Sequence, residues 1–287
     1  MITVETIAAA RAQVHDWRIA GARIAFVATM GNLHDGHLSL VGAARSLADR
    51  VVASIFVNPL QFGPTEDFSA YPRTLEEDQA ALESASCDLL FAPPATEMYP
   101  DGQPSTRLTV GLLGSVLCGA HRVGHFDGMA TVVAKLLNIV QPDFAVFGQK
   151  DFQQLAVIRR FVSDLNLPVS IVGVPTVREN DGLAMSSRNR YLDELEREKA
   201  PLLYATLLHI GEQILKGARD YKKLCTDAKE HLSAAGFEPD YVEVRDSSDL
   251  GRPDETAEML VILAAATLGR ARLIDNIQVD LRAESLD

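Results

Sequence analysis

The sequence predicts an α/β protein: a mostly parallel sheet with helices on both faces, followed by a smaller C-terminal α/β domain. Three observations carry this. Apolar runs of strand length alternate with segments of helical period along residues 1–175. Glycine-containing turns join strand to helix at residues 29–37 and 147–151. Past Pro175 the texture changes to a charged helical stretch and then to three further strand-like runs.

In order, Ile7, Ala10, Val14 and Trp17 recur at helical spacing and Gly21 follows as a stop signal, so the chain opens with an amphipathic helix. Residues 23–29 read as a buried strand, 30–37 as a short polar turn, 38–47 as helix and 51–57 as a second strand. That series is a βαβ unit. The alternation continues with a helix over 74–86, a short strand at 89–91, a helix over 128–140, a strand at 144–147, a helix over 151–165 and a strand at 170–174. Crossovers of this kind give a Rossmann-like parallel sheet, with ligands beyond the carboxyl ends of its strands. Two stretches, 58–72 and 93–104, interrupt the pattern, and loops this long are uncommon unless they serve a site. A boundary near Thr176 divides the chain into domains of residues 1–175 and 176–287. The second reads as helices over 193–216 and 221–234, then strands at 241–245, 259–266 and 271–277.

Hydrophobic residues are 47% of the 287 and charged ones 23%, the balance of a folded globular protein rather than a disordered one. With 27 basic against 39 acidic side chains the net charge is −12, which opposes binding to nucleic acid but leaves room for a locally positive pocket. Cys87, Cys118 and Cys225 are far apart and lack CxxC spacing, so neither a disulfide framework nor a cysteine-rich zinc site is expected. Glu5, Arg11 and Asp16 interrupt the first apolar pattern, and no run approaches the ~20 apolar residues of a membrane span. A cytoplasmic protein with neither membrane nor nucleic-acid partner is expected.

The most informative stretch is Thr29-Met30-Gly31-Asn32-Leu33-His34-Asp35-Gly36-His37. Between a strand and a helix, it can aim backbone amides at an anion, with the helix dipole adding favourable potential. Gly31 and Gly36 let backbone approach a ligand closely. His34 and His37 are three apart, so the first helical turn brings both imidazoles to one side. They could simply cap the helix or hold zinc, but no third zinc ligand has recognisable spacing, and HxGH in a strand-to-helix context points to phosphate.

Phe147-Gly148-Gln149-Lys150-Asp151 again joins a strand to a helix, with Gly148 for the turn and Lys150 as a compact positive charge at the same sheet edge. Met185-Ser186-Ser187-Arg188-Asn189 follows the turn-forming Glu179-Asn180-Asp181-Gly182. Two hydroxyls and a guanidinium suit a phosphate clamp. Together these stretches suggest a hinged site, the second domain delivering Ser186, Ser187 and Arg188 onto phosphates held by the first.

The HxGH element with a later MSSRN loop resembles the nucleotidylyltransferase and class I aminoacyl-tRNA synthetase superfamily, with its HIGH and KMSKS signatures. More narrowly, TMGNLHDGHLSLV, IFVNPLQFGPTEDFSAYPRT, HFDGMATVVAKLLNIVQPDFAVFGQKDFQQL, RENDGLAMSSRNRYL and RLIDN are similar, in order, to the blocks of the pantothenate synthetase family. The resemblance runs from about Ile24 to Asn276. It implies ATP-dependent ligation of (R)-pantoate and β-alanine to (R)-pantothenate, AMP and diphosphate through a pantoyl adenylate, by a homodimer, with Mg²⁺ accompanying ATP.

The resemblance also implies roles. His37 would be the proton donor, with His34, Lys150 and Arg188 completing the catalytic set. ATP would be bound by Met30, Gly31, Asn32, Leu33, His34, Asp35, Gly36 and His37, by Gly148, Gln149, Lys150 and Asp151, and by Val177, Met185, Ser186, Ser187 and Arg188. Gln61 and Gln154 would bind pantoate, Gln61 also meeting β-alanine, with Asn58 a weaker candidate. Arg122 could hold a substrate carboxylate or phosphate, or make a structural ion pair. Glu76, Glu77 and Asp78 are expected on the solvated first turn of a helix, so Mg²⁺ has no assigned protein ligand. Two departures are Arg188 where the superfamily signature carries lysines and Gln149 where many relatives carry glutamate; neither removes positive charge. The alternatives are a nucleotidylyltransferase acting on a phosphorylated acceptor, and a nucleotide-binding module without turnover.

Overall fold

Ile24, Ala25, Phe26 and Val27 are all fully buried, as a strand covered on both faces requires. In the computed structural model, which describes residues 1–63, 68 and 71–282, they form the heart of a six-stranded parallel sheet. Its strands are β1 (Ile2–Val4), β2 (Ile24–Thr29), β3 (Arg50–Ile55), β4 (Leu89–Phe91), β5 (Phe144–Gly148) and β6 (Ser170–Val174). The intervening helices are α1 (Ile7–Ile19), α2 (Asp35–Leu47), α3 (Leu75–Ser84), α4 (Ala95–Met98), α5 (Cys118–His121), α6 (His125–Val140) and α7 (Phe152–Asp164).

The spatial order is β1-β4-β3-β2-β5-β6. From β2 the chain steps outward to β3 and β4, then returns to lay β5 and β6 on the other side. The order therefore reverses at β2 and β5, and the crevice beyond their carboxyl ends is where such sheets bind ligands. The loops after Thr29 and Gly148 both start there. Ala25, Val27, Val51, Ala53, Leu90 and Val146 line one sheet face and pack on Leu40, Val41 and Ala44 of α2 and Leu82 of α3. The alternate residues Ile24, Phe26 and Val52 are also fully buried, and α6 packs against β2 and α1.

The chain divides into two compact units, Met1–Gln149 with Val157–Pro175, and Lys150–Ala156 with Thr176–Asp287. Lys150–Ala156, which the sequence puts in the first domain, clusters with the second unit, where the Asn276 side-chain amide donates to the Lys150 carbonyl at 2.9 Å. The second unit carries α8 (Glu194–Lys199), α9 (Leu202–Leu215) and α10 (Tyr221–Ala234). Its sheet is antiparallel, β7 (Glu238–Asp246), β8 (Met259–Leu268) and β9 (Ala271–Asp280) in that order. Only two residues separate β8 from β9, a connection that permits an antiparallel pair and no other. Leu203, Leu207, Ile210 and Ile214 of α9 and Leu232 of α10 bury against Val242, Leu260, Ile262 and Leu273.

Several boundaries differ from the sequence expectation for identifiable reasons. The helix expected over 38–47 starts at Asp35 because His34 caps it. The region expected as helix over 193–216 is split around Pro201, which has no N–H to continue the first helix. Strand β1 has no counterpart in the sequence expectation; it pairs with β4 at the sheet edge. Among the described residues no helix is long and apolar enough to cross a membrane. Burial pushes the thiols of Cys87 and Cys225 up to about 11, so both stay protonated and act as small apolar side chains.

Candidate active site

The loop after β2 is shaped by two consecutive left-handed residues, Gly31 at φ +83° and Asn32 at φ +54°. The turn delivers His34 in extended conformation as the N-cap of α2. The Gly36 amide donates to His34 Nδ1 at 3.1 Å, and the His34 amide donates to His37 Nδ1 at 3.3 Å. A backbone amide can only donate, so both Nδ1 atoms must present lone pairs. In the neutral imidazoles the ring protons are then on Nε2. The ring centroids lie 4.1 Å apart, which puts two Nε2–H donors at the positive end of one helix, beside the sheet's switch point. The histidines do cap the helix, and capping is what fixes their tautomers.

A second network surrounds Gln61, held in a one-turn 3-10 helix (Pro59–Gln61) after β3. Buried Asn58 donates from Nδ2 to the Gly128 carbonyl at 3.1 Å and accepts at Oδ1 from the Leu60 amide at 3.3 Å. Those two backbone partners settle which way its amide points. Asn58 Nδ2 also donates to Gln61 Oε1 at 3.1 Å, which fixes the neighbouring amide in turn. Gln61 Nε2 therefore projects as a donor, and its partner is the Met30 sulfur at 3.0 Å, a weak acceptor. Tyr99 donates to Asn58 Oδ1 at 2.9 Å, and burial raises its hydroxyl above the ordinary tyrosine range, so it stays protonated as that donor. Gly128 lets the turn approach α6: a Cβ there would lie 2.0 Å from the Leu60 carbonyl oxygen.

His125, on the first turn of α6, meets the Gln61 carbonyl through Nδ1 at 2.8 Å and Arg122 Nη1 through Nε2 at 2.9 Å. A guanidinium only donates, so His125 accepts from Arg122 and donates to Gln61. Arg122 is thereby linked to the Gln61 turn through this histidine.

In the second unit, residues 177–185 form a tight hairpin. The Glu179 amide donates to the Leu183 carbonyl at 2.8 Å, and the Met185 amide donates to the Val177 carbonyl at 3.0 Å. Arg178 anchors it with a bidentate pair to Asp275, 2.6 and 2.9 Å, and stacks over Tyr204 with its guanidinium carbon 3.5 Å from the ring centroid. The hairpin ends in Ser186, whose Oγ accepts from the Arg188 amide at 3.3 Å and caps a 3-10 helix over Ser187–Tyr191. Lys150 Nζ lies 3.9 Å from the Asp151 carboxylate, and Gln154 sits half-buried on the first turn of α7.

Within the first unit the structure thus groups the loop of Met30, Gly31, Asn32, Leu33, Asp35 and Gly36 with His34, His37 and Gln61, and sets Gly148 and Gln149 at the neighbouring strand end. Within the second it groups Val177 and Met185 on one hairpin with Ser186, Ser187 and Arg188 at the start of the 3-10 helix that follows, and Lys150, Asp151 and Gln154 on another segment. One expectation is corrected. Asp78 does not face solvent with Glu76 and Glu77: it is 3% exposed and accepts from the Asn32 and Leu33 amides. Sequence reasoning also missed Tyr99 and the Arg178–Asp275 pair, although Asp275 and Asn276 end the RLIDN block. Among the described residues no group of three or more His, Cys, Asp or Glu is placed to hold a metal.

Fold and loop together define an α/β enzyme of the Rossmann-like class, with its candidate site at the switch point of the sheet. The chain belongs to the pantoate-beta-alanine ligase family, whose model matches residues 2–278, and it is an acid–amine ligase. It is 58% identical over 283 residues to the pantothenate synthetase of Pseudomonas aeruginosa, covering 98% of this chain and 100% of that one. The pantothenate synthetase of Thermus thermophilus superposes with a TM-score of 0.90 at 48% identity, covering 96% of this chain and 99% of that one. A pantoate-beta-alanine ligase from Francisella tularensis, solved in complex with beta-gamma ATP and beta-alanine, has a TM-score of 0.81 at 34% identity, covering 96% and 97%.

Proposed function

We propose that the protein joins (R)-pantoate to β-alanine with ATP, yielding (R)-pantothenate, AMP and diphosphate through an enzyme-bound pantoyl adenylate. The observation that carries this is the pair of histidines at the switch point, each held by a cap amide on its Nδ1 at the start of one helix. A carboxylate acylates an amine poorly because oxide is a poor leaving group. Its oxygen therefore attacks the α-phosphorus, the bond to the bridging oxygen breaks and diphosphate departs. The β-alanine amine then attacks the acyl carbon and expels AMP. Charge grows on the bridging oxygen in the first step, and fixed donors at a helix N-terminus stabilise it without reorganising.

We assign His37 as the donor to that oxygen, with His34, Lys150 and Arg188 sharing the phosphate charge. ATP contacts fall to Met30, Gly31, Asn32, Leu33, Asp35 and Gly36, to Gly148, Gln149 and Asp151, and to Val177, Met185, Ser186 and Ser187. Gln61 and Gln154 take pantoate. The weak Met30 sulfur partner of Gln61 supports this, because a carboxylate or hydroxyl oxygen would be a better acceptor for the same N–H. Gln61 also serves β-alanine. Mg²⁺ would accompany ATP and supply charge neutralisation, with no protein residue assigned to hold it. A homodimer in the cytoplasm completes the reading, checked by light scattering and cell fractionation.

Substrate omission tests the proposal. Diphosphate release from ATP should require pantoate, and AMP with pantothenate should appear when β-alanine is added. Release independent of pantoate sinks it, and release dependent on a phosphorylated acceptor favours a nucleotidylyltransferase instead. Arg188→Ala should slow pantoate-dependent diphosphate release about 100-fold, the scale of losing one preorganised charge-stabilising donor. Supplying preformed pantoyl adenylate should rescue pantothenate formation in that variant; failure to rescue would give Arg188 another role.

A further inference from the structure

Asp78 buries a carboxylate on a helix turn whose other acids, Glu76 and Glu77, are exposed. Its partners explain the difference. Oδ2 accepts from the Asn32 amide at 2.9 Å and from Thr74 Oγ1 at 3.2 Å, while Oδ1 accepts from the Leu33 amide at 2.8 Å. Both amides belong to the loop between β2 and α2, next to the left-handed pair Gly31 and Asn32. Left-handed backbone at a residue with a Cβ costs roughly 1–2 kcal/mol, and charge-assisted bonds from consecutive amides to one carboxylate offset it. The approach is close enough that a Cβ on Gly31 would lie 2.9 Å from Asp78 Oδ2. The residue after Leu33 is His34, the cap of α2.

We propose that Asp78 is a positioning residue of the candidate site. Its carboxylate clamps the Asn32 and Leu33 amides and so sets the direction in which His34 and His37 enter α2. Thr74 orients the carboxylate through its hydroxyl at 3.2 Å. The consequence for ATP use rests on the ligase reading above; the consequence for the histidine cap does not.

Asp78→Asn keeps the volume but offers a single acceptor atom where three donors converge. The first readout is the ¹⁵N spectrum of histidine-labelled protein without substrates. The wild type should show His34 and His37 with hydrogen-bonded, unprotonated Nδ1, and Asp78→Asn should lose that signature. The second is kinetic: kcat/KM for ATP in pantoate-dependent diphosphate release should fall about 100-fold, the scale of a displacement of about 1 Å at a reacting group. Pantothenate formation from preformed adenylate should change far less, and Glu76→Gln, on the exposed side of the same turn, should match the wild type in both readouts. Unchanged histidine spectra, or equal losses in both half-reactions, overturn the proposal. If the wild type releases no diphosphate with pantoate, the ligase reading fails while the spectra still decide the role of Asp78. Should Asp78→Asn not fold, Thr74→Val removes one orienting bond alone, and an unchanged histidine spectrum there is equally contradictory.

Discussion

On the proposed route, His37→Ala should lower the single-turnover rate of pantoyl-adenylate formation by about 10²- to 10³-fold and shift the melting temperature by only a few degrees. Two functions of one imidazole separate here. Its Nδ1 accepts the His34 amide, a capping bond whose loss costs typically ~1 kcal/mol. Its Nε2–H is the group assigned to the bridging oxygen. Glutamine at the third helical position can reach back to the cap amide in the same manner. His37→Gln should therefore keep wild-type stability and remain as slow as the alanine variant. Stopped-flow or quench-flow detection of diphosphate alongside thermal melting checks both halves. A wild-type rate in either variant would remove His37 from the chemistry.

Asp275→Ala should destabilise the second unit by about 3–5 kcal/mol, the usual result of stripping one partner from a buried ion pair. Asp275 is 4% exposed and its guanidinium partner 18%, so water screens the pair little. Removing the carboxylate leaves Arg178 with the Gly182 and Asn276 carbonyls and the Tyr204 face, all without compensating charge. The hairpin that leads into Ser186, Ser187 and Arg188 loses its anchor at the same time. Replacing the pair together, Arg178→Met with Asp275→Leu, should recover much of the stability but not ATP use. Urea unfolding monitored by circular dichroism measures the effect, and a midpoint like that of the wild type for Asp275→Ala would contradict it.

How much of this could be read from the chain alone follows from distance along it. The parallel sheet was legible because strands covered on both faces are written as unbroken apolar runs, as at Ile24, Ala25, Phe26 and Val27. Three-residue β1 was not, since Ile2 and Thr3 are exposed and carry no periodic signal. The histidine loop was legible because its glycines, imidazoles and helix start are contiguous. Asp78 was not: its amide partners lie 45 and 46 residues away, and an acid on a first helical turn looks the same whether it meets water or a loop. Arg178 and Asp275, 97 residues apart, were hidden for the same reason, though the RLIDN block marked where to look. The antiparallel second sheet was visible only as strands; the two-residue connection between β8 and β9 is what sets their direction.

Oxygen transfer tests the adenylate route most directly. With pantoate carrying ¹⁸O in its carboxylate, attack on the α-phosphorus places one labelled oxygen between the acyl carbon and phosphorus. Expulsion of AMP leaves that oxygen on the nucleotide. Mass spectrometry should find one ¹⁸O in each AMP formed with pantothenate. Unlabelled AMP, or ADP and phosphate in its place, would contradict adenylation of pantoate at this site.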